Sequence, residues 1–262
     1  MSYKQKLDER KADISVFYKK VGNLELPLCV YLPENFDETK QYPAVLCVHG
    51  GSWGAIKETP KNWDGSWMAG NAKYYAEKGF VGIVFTYRDI KYEETTNVGD
   101  ILADVGDAVS YIKQNMAFVE DERIILMGDS AGGHIVLSLA LSLPDGKPLA
   151  IRPMAIVAYN PVTDTTAPMW SFCAAPGEHE RFSPMHNCKK IAPKILVMHG
   201  TNDSVVPIAD SREFVRKMKG CGNDIELIEI EGAEHAFILF GYREKEENII
   251  QALKLTNKYL GL

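Results

Sequence analysis

Short apolar runs alternate with longer segments of helical period along nearly the whole chain. Runs at residues 24–32, 44–49, 81–87, 123–128, 154–159, 194–199 and 225–230 read as strands. From residue 44 onward several are almost unbroken, as in "AVLCVHG", "VGIVFTY", "IILMG" and "ILVMHG". A strand covered by helices on both faces needs apolar side chains on both, so these runs predict a buried, mostly parallel sheet. Between them lie helical patterns. Asp100 is placed to cap a segment whose apolar stripe is Ile101, Leu102, Val105, Ala108, Val109 and Ile112. Residues 130–143 are apolar nearly all round, which predicts the most buried helix, stopped by Pro144 ahead of an Asp145-Gly146 turn. Pro207 suits the first position of a helix running to Gly220. Residues 242–259 supply the last helix, and the charge run at 243–247 reads as its solvated face.

Strand–helix alternation predicts an α/β fold with right-handed crossovers. No linker composition or internal repeat divides the chain, so residues 1–262 are expected to form one domain. Residues 52–66 and 163–192 fit the alternation poorly. Both are polar-aromatic and both follow the C-terminal end of a strand, where such sheets place ligand sites; they read as insertions shaping a cleft.

Composition narrows the partners. The 262 residues are 46% hydrophobic and 24% charged with a net charge of −6, a globular balance. Nowhere are Lys and Arg concentrated, which argues against a nucleic-acid or anionic-membrane partner. Cys29, Cys47, Cys173, Cys188 and Cys221 form a scattered odd set with no CxxC pair, the usage of a reduced compartment. The N-terminus lacks the apolar stretch of a signal peptide, and the longest apolar run, residues 135–143, is too short to span a bilayer. A cytoplasmic, membrane-free protein is expected; a homo-oligomer is left open.

The strongest chemical signal is Gly128-Asp129-Ser130-Ala131-Gly132, followed by Gly133 and His134. It closes the strand "RIILMG" and opens the helix "AGGHIVLSLAL", the context in which a serine on a tight strand-to-helix turn projects above the sheet. Flanking glycines remove side chains that would collide there. Serine is a weak nucleophile until a base takes its proton. His235, in the loop "EGAEHAF" after the last strand, is placed for that. His49 and His199 end buried strands and read as satisfying backbone groups, His134 reads as helix packing, and His179 and His186 lie in the second insertion. Imidazole in turn needs a carboxylate to fix its tautomer. Asp203, in "HGTNDSVVP", has the required loop position. Asp164 is the alternative acid but reads better as a loop anchor, and Glu234 adjoins His235 too closely in sequence to accept from its ring. Developing negative charge on a substrate oxygen calls for aimed donors. The Ala131 amide is one, and the Gly51 and Ser52 amides of "HGGSW" are the others. No GxGxxG or Walker pattern competes for that loop. His179, His186 and Cys188 are ligand-type residues, but their spacing is too loose for a zinc site, so no metal and no cofactor is called for.

The motifs HGGSW, GDSAGGH, HGTNDSVVP and EGAEHAF, in this order, resemble the α/β-hydrolase superfamily and within it the hormone-sensitive-lipase-like, acetyl esterase branch. The resemblance implies an α/β-hydrolase fold with Ser130, Asp203 and His235 as catalytic triad and Gly51, Ser52 and Ala131 around an oxyanion. Two departures stand out. Ser52 and Trp53 replace a third glycine, a form also similar to arylformamidases and compact acetyl xylan and feruloyl esterases. Residues 1–23 are short for a helical cap. The expected function is therefore a serine carboxylesterase acting on a small ester with a short acyl group, acetylated or feruloylated saccharides included. The alternatives are an arylformamidase and, more remotely, a non-catalytic binding protein that kept the fold. Trp53, Trp63, Trp67 and Trp170, with Met169 and Phe172, suggest an aromatic-walled substrate cleft.

Overall fold

The structure is a computed structural model that describes residues 2–54, 67–141 and 149–262. Eight strands form a single sheet: β1 (Ile14–Val21), β2 (Leu24–Tyr31), β3 (Tyr42–Val48), β4 (Val81–Phe85), β5 (Val119–Asp129), β6 (Ala155–Tyr159), β7 (Lys194–Gly200) and β8 (Ile225–Ile230). Their order across the sheet is β1-β2-β4-β3-β5-β6-β7-β8. β1, β2 and β4 pair antiparallel; every pairing from β4 to β8 is parallel. The pattern behind this is visible on β3, where Leu46 and Val48 enter one core and Val45 and Cys47 the other. Helices α3 (Val98–Asn115), α4 (Ala131–Leu141) and α6 (Ile208–Gly220) pack on the first face. Helices α2 (Ala69–Ala76) and α7 (Glu246–Leu260) pack on the second. Two further helices are short: α1 (Tyr3–Glu9) and α5 (His179–Phe182).

Each of the seven runs read as strands meets a strand, four of them overrunning it by one or two residues. β1 and α2 were not anticipated. β1 is an edge strand with alternating exposure, and its residue Phe17 is half exposed. It is tied down by charge: Lys19 Nζ lies 2.6 Å from both Asp104 and Asp107 of α3, and Arg88 forks Asp104 at 2.7 Å through two nitrogens. Residues 2–23 thus supply a short helix and this edge strand. α2 buries seven of its eight residues and so carries no polar face to mark it.

Three helix starts differ from expectation. The cap of α3 is Asn97, whose side chain accepts from Gly99 N at 2.8 Å. Asp100 closes the capping box by accepting from Asn97 N at 3.0 Å. Pro207 is the residue before α6 rather than its first, and α7 begins at Glu246, four residues later than its sequence pattern suggested. The Pro144 stop and the Asp145-Gly146 turn lie outside the described residues, as do Trp63 and most of the 52–66 insertion. The 163–192 insertion holds one 3₁₀ turn (Pro168–Trp170) and α5.

Candidate active site

β5 runs straight into α4 through Ser130, whose φ is 55°. A left-handed serine costs about 1–2 kcal/mol, which the surrounding contacts must offset. Ser130 N donates to Tyr159 O at 2.9 Å, and Ser130 O takes the first helical bond from His134 N at 3.0 Å. Glycine is compulsory at position 132 for lack of room: a Cβ there would lie 2.1 Å from Val48 O. The start of α4 therefore touches the end of β3 backbone to backbone.

Two loops bring the other groups to the same sheet edge. His235 Nε2 accepts from the Ser130 hydroxyl at 2.9 Å, and His235 Nδ1 donates to Asp203 Oδ2 at 2.8 Å. Ser130 and His235 keep less than a tenth of their surface exposed, and the Asp203 side chain none. Asp203 Oδ1 accepts from Val205 N and Val206 N at 2.8 and 2.9 Å. Burial pushes this carboxyl up, but hydrogen bonds from His199, His235 and Val206 N outweigh it and hold it well below the ordinary carboxylate range. Three residues spread over 105 positions of the chain are thus brought into one hydrogen-bonded line. Such a line can move a proton from serine to imidazole while the oxygen attacks a carbonyl carbon.

The loop after β3 lies against the nucleophile. A Cβ on Gly50 would come within 2.9 Å of Ser130 Cβ, so bare backbone is the only chain that fits. His49 Nδ1–H donates to Gly50 O at 2.8 Å, and Tyr87 O–H donates to His49 O at 2.8 Å. Since a trans peptide sets C=O and N–H antiparallel, anchoring Gly50 O in this buried network turns the Gly51 N–H the opposite way. Ser52 and Trp53 then follow at φ 54° and 58°, closing a turn in which Gly54 N donates to Gly51 O at 2.9 Å. Ala131 is the first residue of α4, where an amide has no partner four residues back.

The other candidates fall elsewhere. Burial keeps His49 neutral, its pKa lowered to about 4, and its Nε2 accepts from Thr86 Oγ1 at 2.9 Å. His134, likewise lowered to about 4 by burial, donates from Nε2 to Phe182 O at 2.8 Å and accepts from Trp53 Nε1 at 3.2 Å. Asp164 anchors its own loop by accepting from Thr166 N and Oγ1, and Glu234 pairs with Arg243 at 3.6 Å. His179 Nε2 donates to Ser171 O of its own insertion at 3.0 Å, and the His186 ring meets Ser183 Oγ at 2.9 Å. Among the described residues no three His, Cys, Asp or Glu side chains converge as a metal site. Trp53 needs correction as a cleft residue. Its indole is fully buried, edge-on to His134 at 5.3 Å and to Trp170 at 5.7 Å, so it packs the loop down. Trp170 is nearly buried too. Trp67, 55% exposed, lies over Gly51 and faces Tyr242 at 6.5 Å; among the described tryptophans it is the one that meets solvent beside the site. Phe172 and Met169 are half exposed.

Asp129 is a site residue that the sequence pattern left unremarked. It is buried, its Oδ1 accepts from Asn160 Nδ2 at 3.0 Å, and burial raises its pKa from 3.8 to about 6. The folded state therefore holds this proton more tightly than the unfolded chain, and its stabilising contribution is complete below pH 4 and lost as pH rises through 6. Asp129→Asn, which keeps an acceptor for Asn160, should raise Tm relative to the parent above pH 6 and leave it unchanged near pH 4. Holding that proton is worth on the order of 3 kcal/mol. Thermal melts of the pair that stay parallel from pH 4 to 8 would contradict this account.

An eight-stranded, mostly parallel sheet carrying serine, aspartate and histidine in this order at its C-terminal edge defines an α/β-hydrolase. The family model described as the prolyl oligopeptidase family matches residues 70–261, and the chain belongs to that family. Among curated relatives, dipeptidyl-peptidase 5 of Aspergillus fumigatus is 24% identical over 96% of this chain. The chain spans only 36% of that protein. A probable isoprenylcysteine alpha-carbonyl methylesterase of Oryza sativa subsp. japonica is 25% identical over 86% of this chain and 60% of its own. Among solved structures, Thermogutta terrifontis esterase 2 phosphorylated by paraoxon is 27% identical, with a TM-score of 0.80 over 94% of this chain and 92% of that one. The propionate-bound form of that esterase gives 27% identity and a TM-score of 0.79 over 99% and 96%. The family and these esterase structures point to a serine hydrolase acting on ester or peptide bonds. Among the described residues no helix is long and apolar enough to cross a membrane.

Proposed function

We propose that this chain is a serine carboxylesterase cleaving small esters of short acyl groups, of the acetyl esterase kind. The observation that carries the reading is the Ser130–His235–Asp203 line, at 2.9 and 2.8 Å. Ser130 Oγ bonds to the ester carbonyl carbon as its proton passes to His235 Nε2. Asp203 stabilises the imidazolium, and the amides of Ala131, Gly51 and Ser52 hold the oxyanion. Collapse of the tetrahedral species breaks the ester C–O bond, and the alcohol leaves with the proton from His235. Water, activated by the same imidazole, then releases the acid and restores Ser130. No cofactor enters.

Esters over peptides is supported by the solved neighbours, named as an esterase, whose propionate- and butyrate-bound forms match along more than nine-tenths of this chain. A short acyl limit is supported by the same neighbours, whose bound acids are propionate and butyrate. The half-exposed Trp67 and Tyr242 offer a platform for the alcohol portion. A peptidase reading draws on the dipeptidyl-peptidase relatives, which are nearly three times as long as the matched stretch.

Acetyl, butyryl, octanoyl and feruloyl p-nitrophenyl esters, acetylated xylo-oligosaccharides, N-formylkynurenine and a dipeptidyl p-nitroanilide, assayed on one preparation, test the reading. The expected order has acetyl and butyryl esters at least about tenfold above octanoyl in kcat/KM, the size of discrimination a closed apolar wall gives. The anilide and the formamide are expected to be slower still. N-formylkynurenine as the fastest substrate would make the enzyme an arylformamidase, and the anilide as the fastest a peptidase.

A further inference from the structure

The acid of the site is held by a second histidine. His199 ends β7, fully buried, and the sequence assigned it only to backbone groups. Its Nε2 does lie 3.0 Å from Val206 O, but it also lies 3.1 Å from Asp203 Oδ2, the oxygen that receives His235 Nδ1. Both neighbours of Nε2 are acceptors, so Nε2 carries the proton. Nδ1 must then accept, and the Ser211 hydroxyl of α6 donates to it at 2.8 Å. Each atom in the line Ser211–His199–Asp203–His235–Ser130 thus has its donor or acceptor role fixed by its neighbours.

The Asp203 carboxylate faces donors only: two amides bond Oδ1, His235 Nδ1–H bonds Oδ2, and the one His199 Nε2–H is shared between Val206 O at 3.0 Å and Oδ2 at 3.1 Å. The Oδ1 pair anchors one oxygen. The second oxygen stays in line with His235 only if rotation about the carboxyl bond is opposed, and the His199 N–H opposes it. It also draws part of the Oδ2 charge away from His235.

We propose that His199, oriented by Ser211, is a positioning residue that aims Asp203 Oδ2 at His235 and tempers the charge there; this rests on reading Ser130, Asp203 and His235 as the triad. The charged groups around His199 besides Asp203 are Asp210 of α6 and Glu229 of β8, the latter already forked by Arg212 at 2.6 and 2.8 Å. Neither stands between His199 and Asp203 as a hydrogen-bond partner of either.

Rates per site are compared after titration with a fluorophosphonate, so unfolded protein does not count. His199→Leu removes the donor and should lower kcat for p-nitrophenyl acetate about 10- to 100-fold, the range for a lost bond to a charged group. KM should not change. The acid limb of kcat/KM should move from its parental position, because the charge facing the imidazole changes. His199→Gln, which keeps an N–H near the Nε2 position, should restore most of the rate. His199→Asn reaches Ser211 but not Asp203, and repeats the leucine result in a polar side chain if leucine prevents folding. In an Asp203→Asn background the His199→Leu penalty should disappear.

A donor-less variant with the parental rate per titrated site and the parental acid limb overturns the proposal. So does an undiminished penalty in the Asp203→Asn background. A parent protein that is not labelled at Ser130 overturns the triad itself, which is a different failure.

Discussion

Ser130→Ala should reduce hydrolysis of p-nitrophenyl acetate by about 10⁶ in kcat, to the level that binding and the oxyanion donors support without a nucleophile. The size follows from the geometry. His235 Nε2 has Ser130 Oγ as its hydroxyl partner at 2.9 Å, so a missing oxygen leaves the base with nothing to activate except water. The fold should survive, because alanine meets the same backbone cost at φ 55° as serine and the Ser130 backbone bonds are untouched. Melting within a few degrees of the parent, with labelling by a fluorophosphonate lost, is the expected pair of results. A label that persists at another residue would move the nucleophile elsewhere.

Asp203→Asn should cost about 10⁴ in kcat. Four donors converge on this carboxylate, so an amide must point its NH₂ at two of them whichever way it is turned. With NH₂ toward His235, the imidazole has to present a bare Nδ1 and carry its proton on Nε2, where it can no longer accept from Ser130. With NH₂ toward the loop, Val205 N and Val206 N lose their acceptor, at about 1–3 kcal/mol for a buried unpaired group. The pH dependence has a definite sign. A carboxyl held below its unfolded value stabilises the fold at neutral pH, and that contribution fades as pH falls below about 4. The asparagine variant should therefore lose less stability on acidification than its parent. Rates measured alongside melts at pH 3 to 7 check both halves; a rate within tenfold of the parent would remove Asp203 from the reaction.

The parallel half of the sheet was readable because burial on both faces leaves no polar residue to confuse the period, as in "ILVMHG". Ser130 and Asp203 were readable because each follows such a run at its C-terminal end, and His235 because it follows the alternating strand β8. β1 escaped because half of it faces solvent, although the Gly22-Asn23 turn, where Val21 pairs with Leu24, is a hairpin signal. α2 escaped because its eight residues bury Asn71 and Lys73 among apolar ones, so neither a stripe nor an apolar run marks it. Trp53 was misplaced for a related reason: composition marks a tryptophan near a site but not the direction of its ring. The second donor to Asp203 was hidden because His199 and Asp203 meet across a turn, and spacing alone does not distinguish that from a ring satisfying a carbonyl.

The contact between Gly132 and Val48 O, with Gly50 packed on Ser130, joins two parts of the machinery through main chain alone. No rotamer can shift to accommodate a change there, so neither part can drift independently of the other. Among the described residues, diversification of the substrate range then falls to exposed apolar side chains such as Trp67, Met169, Phe172 and Tyr242. A library aimed at new specificities should be randomised at those positions, with both glycine junctions left alone.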